Sequence, residues 1–212
     1  MLVYSDGDPA TSLKSASKPD RAETAELLQK LFPQEKLIPT EDGDLCFTSP
    51  DDDKIYAGCF SGVSVVAAKE FGIDYPSKLP LSFLNIGGGS TIHLHAMHSG
   101  VDWVAFAIWR GKKLERSLSL SPDSGILEDI GKRLPFEIPF WQGELPALAP
   151  EDQEENEESY PFPFHPLELG EAALQDFFGY CLEGIPKPDS LEPGSIYLMR
   201  FKRLKRPKWK FW

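Results

Sequence analysis

The sequence lacks the features of membrane-spanning, secreted and disulfide-stabilised proteins. No apolar run in its 212 residues is long enough to cross a bilayer, and its first residues lack the basic, apolar and small-residue succession of a secretory signal. Cys46, Cys59 and Cys181 are odd in number and widely spaced, and none belongs to a metal-type pair. We therefore expect free thiols in a reducing compartment and a cytoplasmic protein.

Sequence signatures of common catalytic and ligand-binding loops are also missing. There is no G-x-S-x-G elbow and no cysteine neighbours a histidine, so a nucleophilic triad has no local support. The glycine run Gly87–Gly89 precedes a predicted strand, whereas a phosphate-binding loop needs a following helix. Asp51–Asp53 lacks the alternating ligands and distal glutamate of a calcium loop. We interpret both as connecting segments.

Charge is distributed unevenly along the chain. There are 33 acidic and 22 basic residues, but Arg200–Trp212 contains seven of the basic ones and no acidic one. The remainder, with 15 basic residues, is a poor nucleic-acid binder because phosphate contacts rely on lysine and arginine. Only the 200–212 tail could contact nucleic acid or an anionic membrane. It could instead neutralise the acidic body, including an acidic loop predicted at 151–159.

The most informative stretch is Thr91–Trp109, where three of the four histidines run into the most apolar segment of the chain. Its pattern predicts a strand whose side chains alternate between two faces. His93 and His95 would share one face, and His98 would lie on the other.

Two turns then predict a three-stranded antiparallel meander over about 91–121. Trp103–Trp109 is apolar on both faces, which places it in the middle of a sheet covered on each side. In Leu114–Ser121, leucines alternate with serines, so we expect one face of that strand to be exposed to water.

Shorter patterns complete the predicted sheet. Met1–Tyr4 reads as a strand followed by a polar loop, and Lys36–Phe47 as a hairpin. We also predict strands at Ile55–Phe60, Val63–Ala68 and Ile196–Phe201. Leu134–Trp141 is interrupted by prolines, and we expect it to be an extended packed loop or an edge strand.

Two segments have helical spacing. The first covers about 19–32, with Ser17 as its N-cap, and the second covers about 166–183, with Gly184 as its stop. With 12% aromatic and 41% hydrophobic residues, the composition is that of a globular protein. We predict a single α+β domain over 1–201, built on a mainly antiparallel sheet, followed by a basic-aromatic tail at 202–212.

His93 and His95 are the sharpest candidate site. Two imidazoles at positions i and i+2 of a strand point the same way, a spacing that many metal sites use. Gly87, His93 and His95 also resemble the opening of the cupin motif, although the glutamate expected after the second histidine is absent. A divalent transition metal and a metal-dependent enzyme are therefore one hypothesis, with further ligands from His98, Asp102, His165 or Glu168. Half-buried, hydrogen-bonded histidines are the other interpretation.

The second functional hypothesis is a non-catalytic module that binds an unknown protein or small molecule. A polar groove would be lined by six residues near the meander: His93, His95, His98, Asp102, Trp103 and His165. His165 precedes Pro166 and could simply cap a helix, and Trp103 could belong to the core. Because no complete catalytic constellation is present, we favour the binding module. No cofactor follows from the sequence.

Several longer motifs make the chain similar to a bacterial family that is catalogued only as a domain of unknown function. They include LHAMHS, VDW, SLSLSPD, LPFE and FHPLELGEAAL, together with YAGCF and LVYSDGDP. The resemblance extends from Leu2 to about Pro188, whereas the acidic loop and the tail are peculiar to this chain. It implies one domain and brings no activity, cofactor or site residue.

Overall fold

The computed structural model describes residues 1–16, 18–86, 90–147 and 160–204. Ser17, the glycine run, the acidic segment 151–159 and residues 205–212 of the predicted tail lie outside the described residues.

Within the described residues, ten strands form one sheet, and every strand pair is antiparallel. The strands are β1 (Leu2–Ser5), β2 (Lys36–Pro39), β3 (Gly43–Asp44), β4 (Lys54–Phe60), β5 (Val63–Ala67), β6 (Thr91–His98), β7 (Trp103–Arg110), β8 (Lys113–Ser121), β9 (Gly125–Gly131) and β10 (Tyr197–Leu204). Their order is β2-β10-β4-β5-β1-β6-β7-β8-β9, with β3 beside β10. The α+β class and the antiparallel sheet are confirmed.

Five α-helices accompany the sheet in the described part of the chain. They are α1 (Pro9–Lys14), α2 (Arg21–Leu31), α3 (Leu81–Leu84), α4 (Ile138–Trp141) and α5 (Pro166–Phe178). Among the described residues, no helix combines the length and apolar character that crossing a membrane requires.

The sheet is covered on both faces, because its strands are apolar in alternation. One face packs against α1 and α5, through residues such as Val3, Phe106 and Phe178. The other packs against α2 and α3, through residues such as Leu2 and Trp109. Strand β7 is buried on both sides, as its unbroken apolar pattern predicts.

The predicted meander is confirmed and is longer than expected. Strands β6, β7 and β8 pair in sequence, and β9 adds a fourth strand. We predicted only a turn after Ser121. Ile126 and Ile130 of β9 are exposed, so this edge strand lacks the buried apolar alternation that would identify it.

Both predicted helices are present, with different boundaries. Asp20 caps α2 by accepting hydrogen bonds from Ala22 N and Glu23 N, both at 2.9 Å. Helix α5 stops five residues earlier than predicted, because Gly179 adopts the left-handed conformation (φ 78°) that ends a helix. The later Gly184 lies outside the helix.

The polar loop predicted after β1 is present at residues 6–8, and it leads into α1, which was not predicted and which Asp8 caps by accepting from Thr11 N at 2.8 Å. Two other local predictions are wrong. The hairpin predicted over Lys36–Phe47 does not form: β2 and β3 both pair with β10, β3 lies within the predicted turn, and Leu45–Phe47 forms a short helical turn. The proline-rich Leu134–Trp141 forms two helical turns, because proline suits the first position of a helix.

The last strand is longer than predicted. Strand β10 runs to Leu204, so residues 202–204 belong to the sheet rather than to the tail. The amide of Arg203 donates to the carbonyl of Asp53 at 2.8 Å, which fixes the direction in which the chain leaves the sheet.

Candidate functional site

His93 and His95 lie on the face of β6 that α5 covers. They are 5% and 4% exposed, so neither imidazole reaches an open groove. Helix α5 comes close to β6 because Gly170 has no side chain; a Cβ there would overlap the thioether of Met97. The close approach allows Nε2 of His95 to donate to the carbonyl of Gly170 at 2.9 Å.

Burial keeps both imidazoles neutral. It lowers the pKa of His93 to about 4, with a smaller contribution from Arg110. It lowers the pKa of His95 to about 3, with a smaller contribution from the N-terminal amine. In an apolar surrounding the charged imidazolium is disfavoured, so protonation of either ring opposes folding.

The surroundings of His93 are aromatic. Its ring lies 5.2 Å from the ring of Phe177 and 5.8 Å from that of Phe178, and its Nδ1 has no hydrogen-bond partner among the described residues. These contacts match the interpretation of His93 as part of the packed interior.

The predicted metal ligands do not come together in the described part of the chain, where no group of three or more histidine, cysteine, aspartate or glutamate side chains is placed to hold a metal ion. The Nε2 of His95 carries the proton that it donates to Gly170, so this nitrogen has no lone pair to offer. Asp102 and His165 pair with each other instead.

His98, Asp102 and Trp103 lie at the turn that joins β6 to β7. His98 is opposite Trp103 in the strand register, and its Nδ1 accepts from Gly100 N at 3.1 Å. Asp102 takes the left-handed conformation, with φ 45°. This turn exposes the imidazole of His98, in contrast to the two buried rings.

His165 joins this turn from the start of α5. Its Nδ1 accepts from Leu167 N at 3.3 Å and its Nε2 lies 3.5 Å from a carboxylate oxygen of Asp102, while Tyr160 stacks on the ring at 5.8 Å. His165 therefore caps the helix, and its contact with Asp102 ties the helix to the turn. The lone pair of Nδ1 is occupied by the amide of Leu167, so this nitrogen is not available as a general base in this arrangement.

Trp103 is anchored by a buried polar strip that sequence reasoning had placed in water. Its Nε1 donates to Ser119 Oγ at 3.1 Å. The three serines Ser117, Ser119 and Ser121 of β8 are at most 4% exposed, so the predicted exposed face is wrong. The short helical turn Pro76–Lys78 packs over β8 and covers it.

A carboxylate satisfies Ser117 in this strip, while Ser121 Oγ accepts from Ser124 N at 3.2 Å. Glu128 of β9 accepts from the hydroxyls of Ser77 and Ser117 and from Ser77 N, the last at 2.9 Å. Hydroxyls can enter a covered sheet face when each finds a buried acceptor. The alternation of serine and leucine alone could not reveal that acceptor.

Two adjoining cavities open at the end of β6. The larger has a volume of about 1060 Å³ and the smaller about 640 Å³. Ser49, Met97 and His98 line both, so we treat them as one groove that passes around the end of the strand, and we call it the β6 groove.

The larger cavity lies between α5 and the chain that follows it. Leu182 N donates to a carboxylate oxygen of Glu171 at 2.7 Å, which holds that chain against the helix. Residues that line this part include Phe140, Leu145, Glu168, Ala172 and Ile185. All five lie outside the predicted meander at 91–121.

The smaller cavity lies on the other side of His98. Its lining includes Trp103, Val101 and three acidic residues, Asp52, Asp74 and Asp123. Of the six predicted site residues, the structure brings His98, Asp102, Trp103 and His165 together at or beside the β6 groove, and it buries His93 and His95 under α5.

The fold and groove define an α+β protein with a long, partly apolar cleft at one end of its sheet. The chain belongs to DUF6928, a family of unknown function, whose family model matches residues 1–201. The resemblance to a domain-of-unknown-function family is thereby confirmed. No curated protein and no solved structure matches the chain.

Proposed function

We propose that this protein is a non-catalytic binding module and that the β6 groove binds an extended, basic peptide segment of a partner. The observation that carries the proposal is the continuity of two large cavities around His98. Pockets that bind compact ligands usually have volumes of about 300–1,000 Å³, and this groove exceeds that range when its two parts are combined.

The apolar part of the larger cavity supports a macromolecular ligand. Three apolar side chains at its rim, Leu145, Leu182 and Ile185, are 43%, 37% and 98% exposed. A cluster of exposed apolar side chains beside a cleft is typical of an interaction site, because binding removes this area from water.

Charge supports a basic ligand. The larger cavity is lined by three glutamates and one lysine: Glu168, Glu171, Glu183 and Lys187. Within the described residues, Glu168 and Glu183 have no ion pair. A cationic peptide would supply the missing partners, and complementary charge would speed its association.

We also propose a cytoplasmic location and a single domain over 1–201. The three cysteines are free thiols, which supports a cytoplasmic location. Strand β1 near the start of the chain and β10 near residue 201 belong to the same sheet, which supports one domain over 1–201. The metal-dependent enzyme centred on His93 and His95 gains no support from the contacts of these two side chains.

A fluorescent twelve-residue peptide in which lysine alternates with leucine and phenylalanine tests the proposal. We expect micromolar binding by fluorescence anisotropy, and at least tenfold weaker binding by Ala172→Arg, because the new side chain occupies the larger cavity. Ala25→Arg, on the exposed face of α2, makes the same change outside the groove and should bind normally.

The control peptide has glutamate in place of each lysine. The proposal is wrong if both peptides bind equally, if neither binds, or if Ala172→Arg and Ala25→Arg bind the basic peptide alike.

A further inference from the structure

Strand β10 ends close to the smaller cavity of the β6 groove. Strand β10 ends at Leu204, and the amide of the preceding Arg203 donates to the carbonyl of Asp53 at 2.8 Å. The next residue back along that loop, Asp52, lines the smaller cavity. The chain therefore leaves the sheet within about two residues of the groove.

Ion pairs hold this exit in place. The guanidinium of Arg203, 8% exposed, bonds to the carboxylates of Glu35 and Glu70. Lys69, adjacent to Glu70 in the chain, pairs with Asp52 at 2.5 Å, and both line the smaller cavity. A partly buried guanidinium with two carboxylate partners loses much of its freedom, so the direction of the exit is set by the fold.

The segment that follows has the composition of a ligand for this groove. Residues 205–212 have the sequence KRPKWKFW, with four basic residues, three aromatic residues and no acidic one. The family model ends at residue 201, so the segment is an addition to the part of the chain that the family shares.

The groove offers complementary groups in the order in which the segment would meet them. Asp74 and Asp123 line the smaller cavity together with Trp103, and neither aspartate has an ion pair within the described residues. Beyond His98, the larger cavity adds Glu168 and apolar side chains. Aromatic side chains that alternate with cations can therefore pack on the apolar floor while the cations meet carboxylates.

Length permits this contact. Eight extended residues span up to about 26 Å, which is ample for a groove that begins about two residues from the exit.

We propose that residues 205–212 bind in the β6 groove of their own chain as an internal ligand and compete there with the partner peptide. This inference rests on the proposed function of the groove. It implies that the tail regulates access: a partner binds only by displacing it, and the measured affinity is reduced by the fraction of molecules in which the groove is occupied.

Paramagnetic relaxation in the full-length chain tests where the segment lies. A nitroxide is placed on Lys210→Cys in a Cys46→Ser/Cys181→Ser background, which leaves only the buried Cys59. We expect selective broadening of the amide signals of Met97, His98 and Asp123. Mixing spin-labelled chains with isotope-labelled, unlabelled chains should abolish the broadening, because the contact is within one chain. Broadening elsewhere, no selective broadening, or broadening that persists in the mixture would overturn the inference.

A full-length variant separates this inference from the proposed function. Trp209→Ser/Phe211→Ser/Trp212→Ser removes the aromatic groups and leaves the charge unchanged, and we expect it to bind the basic test peptide about fivefold more tightly than the wild type. Equal affinity for the two chains would overturn the internal ligand and leave the binding groove intact. Absence of peptide binding to both chains would overturn the groove as well.

Discussion

His93 and His95 lie beneath α5 and make contacts only with the interior, whereas His98, three residues further along the same strand, stands at the junction of two cavities. His93 and His95 share the face of β6 that α5 covers, whereas His98 lies on the other face and is the last residue of the strand. The face and the position along the strand therefore explain why two of the rings are buried and the third is exposed.

The same contrast applies to carboxylates. Glu137 in the interior accepts from Arg116 and from Leu134 N, and it is fully buried. Glu183 at the rim of the β6 groove is exposed and has no ion pair in the described part of the chain. Glu137 therefore contributes to stability, whereas we propose that Glu183 contributes to binding.

The largest expected effect comes from the interior carboxylate. Glu137→Ala leaves the guanidinium of Arg116 buried without this partner, and we expect a loss of about 3–5 kcal/mol in the free energy of unfolding. Glu183→Ala should change it by less than about 0.5 kcal/mol. Urea denaturation measures both variants, and similar losses would contradict the distinction between interior and groove.

Acid should destabilise the protein through the buried histidines. Their pKa values in the folded state, about 4 for His93 and about 3 for His95, lie below the unfolded value. The unfolded chain therefore binds protons first, and stability present above about pH 6.5 is lost as pH falls towards 4 and 3. We expect a loss of about 2 kcal/mol for each imidazole between pH 7.5 and 5.0.

His93→Leu tests this pH effect, with the wild type as its reference. It should reduce the difference in unfolding free energy between pH 7.5 and 5.0 by about 2 kcal/mol. An unaltered difference in His93→Leu would show that its ring is not held neutral by burial.

Close packing of α5 should be sensitive to one methyl group. Gly170→Ala places a Cβ against Met97, and we expect a loss of about 1–3 kcal/mol despite the higher helix propensity of alanine. Gly7→Ala adds the same group where no atom of the described residues lies within 4 Å of it, and it should change stability by less than about 0.5 kcal/mol. Thermal unfolding of the two variants makes this comparison, and equal melting temperatures would argue against tight contact between α5 and β6.

The smallest expected effect concerns the cap of α5. His165→Ala removes the acceptor for Leu167 N, and we expect a loss of about 0.5–1 kcal/mol. His165→Asn restores a capping side chain and should recover most of it. If asparagine does not recover stability, the contact of His165 with Asp102, rather than the cap, is the important one.

The sequence predicts the features that depend on local pattern. The unbroken apolar run of β7 identifies a strand covered on both faces, and the position of His165 before Pro166 identifies a helix cap. Both depend on residues next to each other in the chain. The turn between β6 and β7 likewise follows from adjacent residues, Gly100 and Asp102.

Features that depend on distant partners are not predictable from this pattern. The serine face of β8 is buried because Ser77 and Glu128, which lie on other elements, cover and satisfy it. Strands β2 and β3 pair with β10, about 160 residues away in sequence, instead of with each other. The large cavity likewise depends on the chain after α5, whose position is set by Glu171.

The most direct test of the account is a titration of the histidine ring signals by NMR, with and without equimolar Zn²⁺. Burial under α5 predicts that His93 and His95 stay neutral between pH 5 and 8, that His95 keeps its proton on Nε2, and that zinc leaves both rings unchanged. Protonation of either ring within that pH range, or a shift of both ring signals on addition of zinc, would contradict the account. It would support a metal site at the two histidines instead.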